Sequence, residues 1–353
     1  MVRYFFMTQR GFIRKKSLYR ELKSLANEDP KEFMKKLEHF SHFFITYNSV
    51  DHTHFDKIKE LLVDHFKIKI NNNNRLFLIF KSLQGLNRYN IIQPIPTVYS
   101  FLQSYARLGL DSSGTYRKGM VEFFETIERY HFISNFICGE RGNKTEEFYG
   151  RCAEEFSHAD SAQNFSKTEA NLYKLLPNIP SFSSFESFFE KLSWPDDNKK
   201  IKEIFSRINM CDSETGTVKD EVSAKTFLLD PNQTLDSWNT EHWFPRNPKD
   251  SSLPDRLSNP DIIHNIGNLL LIPKTLNDAL DNVSPEEKAE FIKNNNKYQG
   301  GPYVHLNEFL EEYYVKHKDW KDIDIEDRAK NLANVCYNKY WKFVRPTRDN
   351  WKI

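Results

Sequence analysis

The stretch that decides the reading is Trp238-Asn239-Thr240-Glu241-His242-Trp243-Phe244-Pro245. It is followed by His264-Asn265-Ile266-Gly267-Asn268-Leu269-Leu270-Leu271-Ile272, by Asn277, by Asp281-Asn282 and by Pro285-Glu286-Glu287-Lys288. Successive side chains on a strand point to opposite faces. A Glu-His pair at a twisted strand end therefore aims a carboxylate one way and an imidazole the other. That pairing suits attack of water on a phosphodiester. The water must lose a proton as it attacks phosphorus, and His is the side chain best matched to that task near neutral pH. The leaving oxygen develops negative charge, which a hard divalent cation neutralises most directly. Mg²⁺ takes oxygen ligands and keeps several waters, so one carboxylate and one amide carbonyl are a sufficient contribution from the protein. On this reading Glu241 supplies the carboxylate, His242 the imidazole and Asn277 the amide oxygen.

Each residue also has a plainer reading. A Glu-His dipeptide alone is common by chance, and its weight comes from the ordered partners His264, Gly267-Asn268-Leu269 and Asn277. The sequence leaves open whether His264 contacts the scissile phosphate, holds its loop or is a hydrogen-bonded structural residue. Asn268 stands where an apolar strand begins, a packing position, and reads as a brace. Asp261 and Asp278 read as solvated carboxylates. His52 and His54 form an H-x-H, but at a helix start they read as exposed. Arg141, Asn143 and Lys144 fit either a phosphate contact or a helix cap with solvated charges. The Phe stripes read as core.

Working outward, the 353-residue chain is long for one core and favours two domains. Hydrophobic residues make up 39% and aromatic residues 14%, with 29 Phe, enough for a packed interior. The formal net charge of +1 does not advertise a nucleic-acid binder, although a local groove can be basic within a neutral chain. The four cysteines, Cys138, Cys152, Cys211 and Cys336, include no C-x-x-C pair, which argues against a zinc tetrad and a disulfide framework. Scattered thiols, no apolar run long enough to span a bilayer and no signal-peptide pattern at Met1–Met7 lead to the expectation of a soluble, cytoplasmic protein. No P-loop is present, so no nucleotide hydrolysis is expected from this chain.

The first two hundred residues read as helices joined by short loops. Asp29-Pro30 followed by Glu32 marks a helix start. After it Phe33, Met34, Leu37, Phe40, Phe44 and Tyr47 recur at helical spacing. Leu76, Phe77, Ile79, Phe80 and Leu83 repeat the pattern. Further helices are predicted at about 97–108, 115–137, 144–156, 167–176, 183–193 and 197–209, with prolines at their ends. Residues 211–235 turn polar and turn-rich, placing a boundary between 210 and 235. Short extended segments and two helices follow. The last, about 325–343, carries Ile325, Ala329, Leu332, Ala333, Cys336, Tyr340 and Val344 on one face.

The 238–288 pattern resembles the HNH, or ββα-metal, nuclease fold, and within it the C-terminal nuclease domain of GmrSD-like modification-dependent restriction enzymes. The carriers are Glu241-His242 before a short step to Pro245, then His264, Gly267, Asn268 and Leu269, then Asn277. The order from Asn268 to Asn277, with Asp281-Asn282 behind it, is also similar to the HNH domain of CRISPR effector nucleases. Trp320 followed by Ile325-x-x-Arg328 and a helix ending at Trp341 resembles the family's tail. Upstream, Phe132-Ile133 to Lys144 resembles its helical region, and Tyr4 to Tyr19 a junction after a nucleotide-dependent domain whose Asp-Gly-Gln-Gln-Arg signature is absent here. The chain is thus expected to correspond to the C-terminal two-thirds of a larger protein. Trp243 is bulkier than the family's usual aliphatic residue, and Asn239 and Thr240 replace a more apolar run.

The resemblance implies that His242 is the general base, that Glu241 and Asn277 hold one Mg²⁺ or Mn²⁺, and that Asn268 orients the His loop. It implies a mostly α chain with a small α+β part: a helical domain at 1–210, then an HNH ββα-metal domain at 211–353 wrapped by helices. It implies an endonuclease acting on foreign or modified DNA, with a nucleotide-dependent sensor domain as a partner and no membrane. The alternative is a nucleic-acid-binding or assembly module whose nuclease is silent without that domain. An RNase is a weaker third option.

Overall fold

The computed structural model describes residues 1–50, 55–70, 72–212, 214–217, 238–250, 252–300, 303–314 and 319–346. His52 and His54 lie outside them, as do residues 218–237, and the side chains of Asn143 and Lys144 are likewise not described. Among the described residues the architecture is mostly helical with one small antiparallel sheet, as the patterning predicts. In chain order the helices are α1 (Val2–Arg10), α2 (Leu18–Glu28), α3 (Pro30–Asn48), α4 (Phe55–Lys59), α5 (Asn73–Arg88), α6 (Ile95–Arg107), α7 (Gly114–His131), α8 (Asn143–His158), α9 (Ala162–Leu175), α10 (Phe182–Phe189) and α11 (Asn198–Met210). Strand β1 (Trp238–His242) and strand β2 (Leu269–Pro273) follow, then α12 (Lys274–Leu280), α13 (Pro285–Lys293), α14 (Val304–Phe309) and α15 (Asp322–Val335). Among the described residues no helix is long and apolar enough to cross a membrane.

The chain divides into two compact units. One comprises Met1–Asn135, Gly139–Ile179 and Phe343–Ile353; the other comprises Phe136–Cys138 and Pro180–Lys342. The division falls at Ile179/Pro180, upstream of the compositional change near residue 210. The reason is that α11 packs on β2, and the segment after α10 is tied to the loop before β2: Ser193 and Asn265 form a bridge, and the Ile266 amide donates to the Leu192 carbonyl at 3.0 Å.

In the first unit the local signals are obeyed. Asp29 caps α3 by accepting from the Glu32 amide at 3.0 Å, with Pro30 in the first turn. The buried stripe of α3 runs through Phe40, Phe43, Thr46 and Tyr47, whereas Met34, expected on that face, is 59% exposed. Phe40 and Phe43 turn toward Tyr99 of α6, which sets the stripe's rotation. Phe101 of α6 stacks on Phe123 of α7 with centroids 3.8 Å apart, so the Phe-rich pattern is core.

In the second unit β1 and β2 pair with Glu241 opposite Leu270 and His242 opposite Leu269. Leu269 to Ile272 are all buried, because α11 covers β2 and α12 packs against both strands. Trp243, Phe309, Trp320 and Ile325 anchor the core around them. The C-terminal face predicted from Ile325 to Tyr340 is buried, except that the helix ends before Val344, which is 62% exposed.

Candidate active site

The order strand, strand, helix brings the flagged residues together. β1 ends on Glu241 and His242, both under 10% exposed, β2 runs antiparallel beside it, and α12 leaves β2 directly and carries Asn277. Glu241, His242 and Asn277 line one cleft of about 320 Å³, with Arg246, Asp281 and Lys288 among its other walls.

Glu241 is held by a residue that the sequence reading quoted without a role. Lys288, in the second turn of α13, is fully buried. Its Nζ donates to Glu241 Oε1 at 2.5 Å, to the His242 carbonyl at 2.7 Å and to the Trp243 carbonyl at 3.2 Å. Three donors meet three acceptors, so the ammonium is saturated. Burial pushes the Glu241 carboxyl up and the Lys288 ammonium down, and their mutual attraction opposes both shifts. α13 is placed by a capping box at Ser284 and Glu287, with Pro285 in its first turn, which fixes where Lys288 enters.

His242 Nε2 lies 3.3 Å from His264 Nδ1, and the rings meet edge to face. Burial first, then the electrostatic influence of Arg246, His264 and Lys288, pushes the His242 imidazole down to about 3. It is therefore neutral at pH 7, the form that accepts a proton. His264 both faces His242 and holds its loop, since its carbonyl accepts from the Trp194 amide at 2.9 Å. The Trp194 indole stacks near-parallel on His264 (5.8 Å, 23°) and lies perpendicular to the His242 ring (5.1 Å, 88°). The Arg246 guanidinium sits over Trp194, 4.3 Å from the ring.

Asn268 is fully buried and uses its whole amide. Oδ1 accepts from the Phe244 amide at 2.8 Å and from Trp320 Nε1 at 3.0 Å. Nδ2 donates to the carbonyls of Phe244 at 3.0 Å and Ile263 at 2.8 Å. It thus ties the turn after His242 to the turn carrying His264, and no donor is left for a substrate. Trp243, the bulky departure, fills the core against Phe309. Behind this layer Arg328 donates to the carbonyls of Gly267 and Leu269 at 2.6 and 2.8 Å. At Gly267 an added Cβ would stand 2.0 Å from the Ile325 carbonyl oxygen, so only glycine lets α15 approach.

Asn277 Oδ1 is buried, lines the cleft and accepts no hydrogen bond among the described residues. An orphaned buried carbonyl oxygen beside a carboxylate is a donor set for a hard cation. Among the described residues no group of three or more His, Cys, Asp or Glu side chains is set to hold a metal. One carboxylate with one amide is a different arrangement, suited to an ion that keeps most of its water. Asp278 is exposed at the cleft rim, and Asp261 is exposed in the turn before His264.

Sequence reasoning missed Lys288, Trp194 and Arg246. Lys288 followed a legible capping box, and Arg246 directly follows the Glu-His-Trp-Phe-Pro step. Trp194 had no signal beyond the proline after it.

Residues 180–335 match the family model of the GmrSD restriction endonucleases, C-terminal domain, and the match contains every residue of the cleft. A comparison with curated proteins returned no match.

Proposed function

Because residues 180–335 form a GmrSD-like C-terminal part, we propose that this chain is a metal-dependent HNH-type endonuclease that hydrolyses phosphodiester bonds in DNA. The observation that carries the reading is the buried Asn277 Oδ1, unpartnered among the described residues, in the same cleft as Glu241 and His242 and presented by a strand-strand-helix unit.

Glu241 and Asn277 would hold one Mg²⁺ or Mn²⁺, which when bound neutralises charge on the leaving oxygen. His242 takes the proton of the attacking water. Its neutral state is kept by burial and by the nearby cations Arg246 and Lys288, and an incoming phosphate offsets those charges and raises its basicity. His264 and Trp194 fix the imidazole plane, and Asn268 fixes the backbone that follows. Lys288 orients the Glu241 carboxylate from the protein side. The substrate class of foreign or modified DNA, and a nucleotide-dependent sensor domain as partner, follow from the family resemblance.

The test is nicking or linearisation of a plasmid by purified protein with Mg²⁺, compared with His242→Ala. Activity that disappears in the variant supports the reading. Equal activity in both proteins sinks the assigned base. No cleavage by the wild type leaves the alternative, a module silent without a sensor domain.

A further inference from the structure

The cleft carries one exposed cation among the described residues that line it, Arg246. Of the cleft's carboxylates, Glu241 is paired with Lys288 and Asp281 with Lys249, which leaves Asp278 at the rim. Two cations line the same walls. Lys288 is sealed behind Glu241, with all three donors spent. Arg246 is exposed, and among the described residues it makes no ion pair. Lys249, nearby in the chain, is paired with Asp281 at 2.7 Å.

Arg246 is nevertheless seated. Its guanidinium lies over the Trp194 indole, whose own position is fixed on both sides. The Trp194 amide donates to the His264 carbonyl, its ring stacks on His264, and the His242 ring meets it at right angles. The indole is thus a shared floor that sets the guanidinium against the imidazole. A planar guanidinium can hold a phosphate through two parallel N–H donors, which fixes the anion's orientation as well as its place.

Building on the nuclease reading, the geometry points to Arg246 as the substrate-positioning residue of this site: it clamps a backbone phosphate of the nucleic acid, and Trp194 is its seat. The scissile diester is then oriented toward His242 by a group that itself neither gives nor takes a proton.

The test is equilibrium binding of a short labelled duplex in EDTA, measured across a salt series, by wild type, Arg246→Gln and Arg246→Lys. One phosphate contact contributes about 0.9 to the slope of log K against log salt. Arg246→Gln should lower the slope by about one and weaken binding roughly eightfold at about 0.1 M salt. Arg246→Lys should keep the slope but lose cleavage rate, because the fork is gone. An unchanged slope in Arg246→Gln overturns the assignment, as does absence of salt-dependent duplex binding by the wild type. Thermal melts of the variants exclude misfolding as the cause of lost binding. Binding in EDTA involves no turnover. A slope change in a protein that never cleaves DNA would therefore leave the clamp standing and remove the nuclease reading instead.

Discussion

Replacing Lys288 with Met tests the architecture of the site at its most constrained point. The substitution keeps the length of the side chain and removes its charge. It leaves Glu241, 7% exposed, without its cation, and takes a donor from the carbonyls of His242 and Trp243. Removing one partner of a buried ion pair costs about 3–5 kcal/mol, because the other charge stays buried uncompensated. A loss of about 4 kcal/mol is expected. Urea denaturation followed by tryptophan fluorescence suits the question, since Trp194, Trp238, Trp243, Trp320 and Trp341 all lie in the unit that holds the site. Adding Glu241→Gln to Lys288→Met removes the stranded charge. The double variant should then be more stable than the sum of the single losses by roughly 2 kcal/mol, within the range of directly coupled pairs. A loss below about 1 kcal/mol in Lys288→Met, or strict additivity, would refute the claim that the ammonium holds the carboxylate in place.

Other expectations follow from the same geometry. Asn268→Ala should cost about 3 kcal/mol, because the Phe244 amide and Trp320 Nε1 are left buried without an acceptor; chemical denaturation reads the loss. Gly267→Ala should cost more than about 2 kcal/mol and abolish cleavage, since its Cβ would meet the backbone of α15 and force apart the layer that Arg328 holds; a melt and a plasmid assay check both. His131 in the helical unit gives a pH dependence. It is fully buried, with Nδ1 2.5 Å from Asn135 Oδ1 and Nε2 2.9 Å from the Tyr149 hydroxyl, and burial holds it down to about 4. Its folded pKa lies below the unfolded value of about 6.5, so the unfolded chain takes up the proton first as pH falls. Its contribution is complete above about pH 6.5 and is lost between there and about pH 4, at about 1.4 kcal/mol per pH unit. His131→Gln should flatten the fall of melting temperature in that window.

What was legible in the sequence was what is local. Glu241 and His242 are neighbours on a strand, and Asn277 sits on the helix that leaves the next strand without a loop, so their order along the chain already implies their meeting. The cap at Asp29 acts within one turn and was equally legible. What was hidden depends on contacts distant in sequence. Lys288 reaches Glu241 from another helix, and Trp194 meets His264 only because the chain after α10 returns to the loop before β2. The unit boundary shows the same limit: composition changes near residue 210, but α11 belongs with the sheet it packs on. The stripe of α3 was misjudged at Met34 because periodicity gives a face and not the neighbour that covers it, here Tyr99.

The most direct test of the central claim is Mn²⁺ binding to the DNA-free protein, followed by electron paramagnetic resonance. The account predicts one bound equivalent in wild type and His242→Ala, and its loss or marked weakening in Glu241→Gln and Asn277→Ala. Binding that is absent from the wild type, or unchanged in both ligand variants, would contradict the assignment of this cleft as the metal centre.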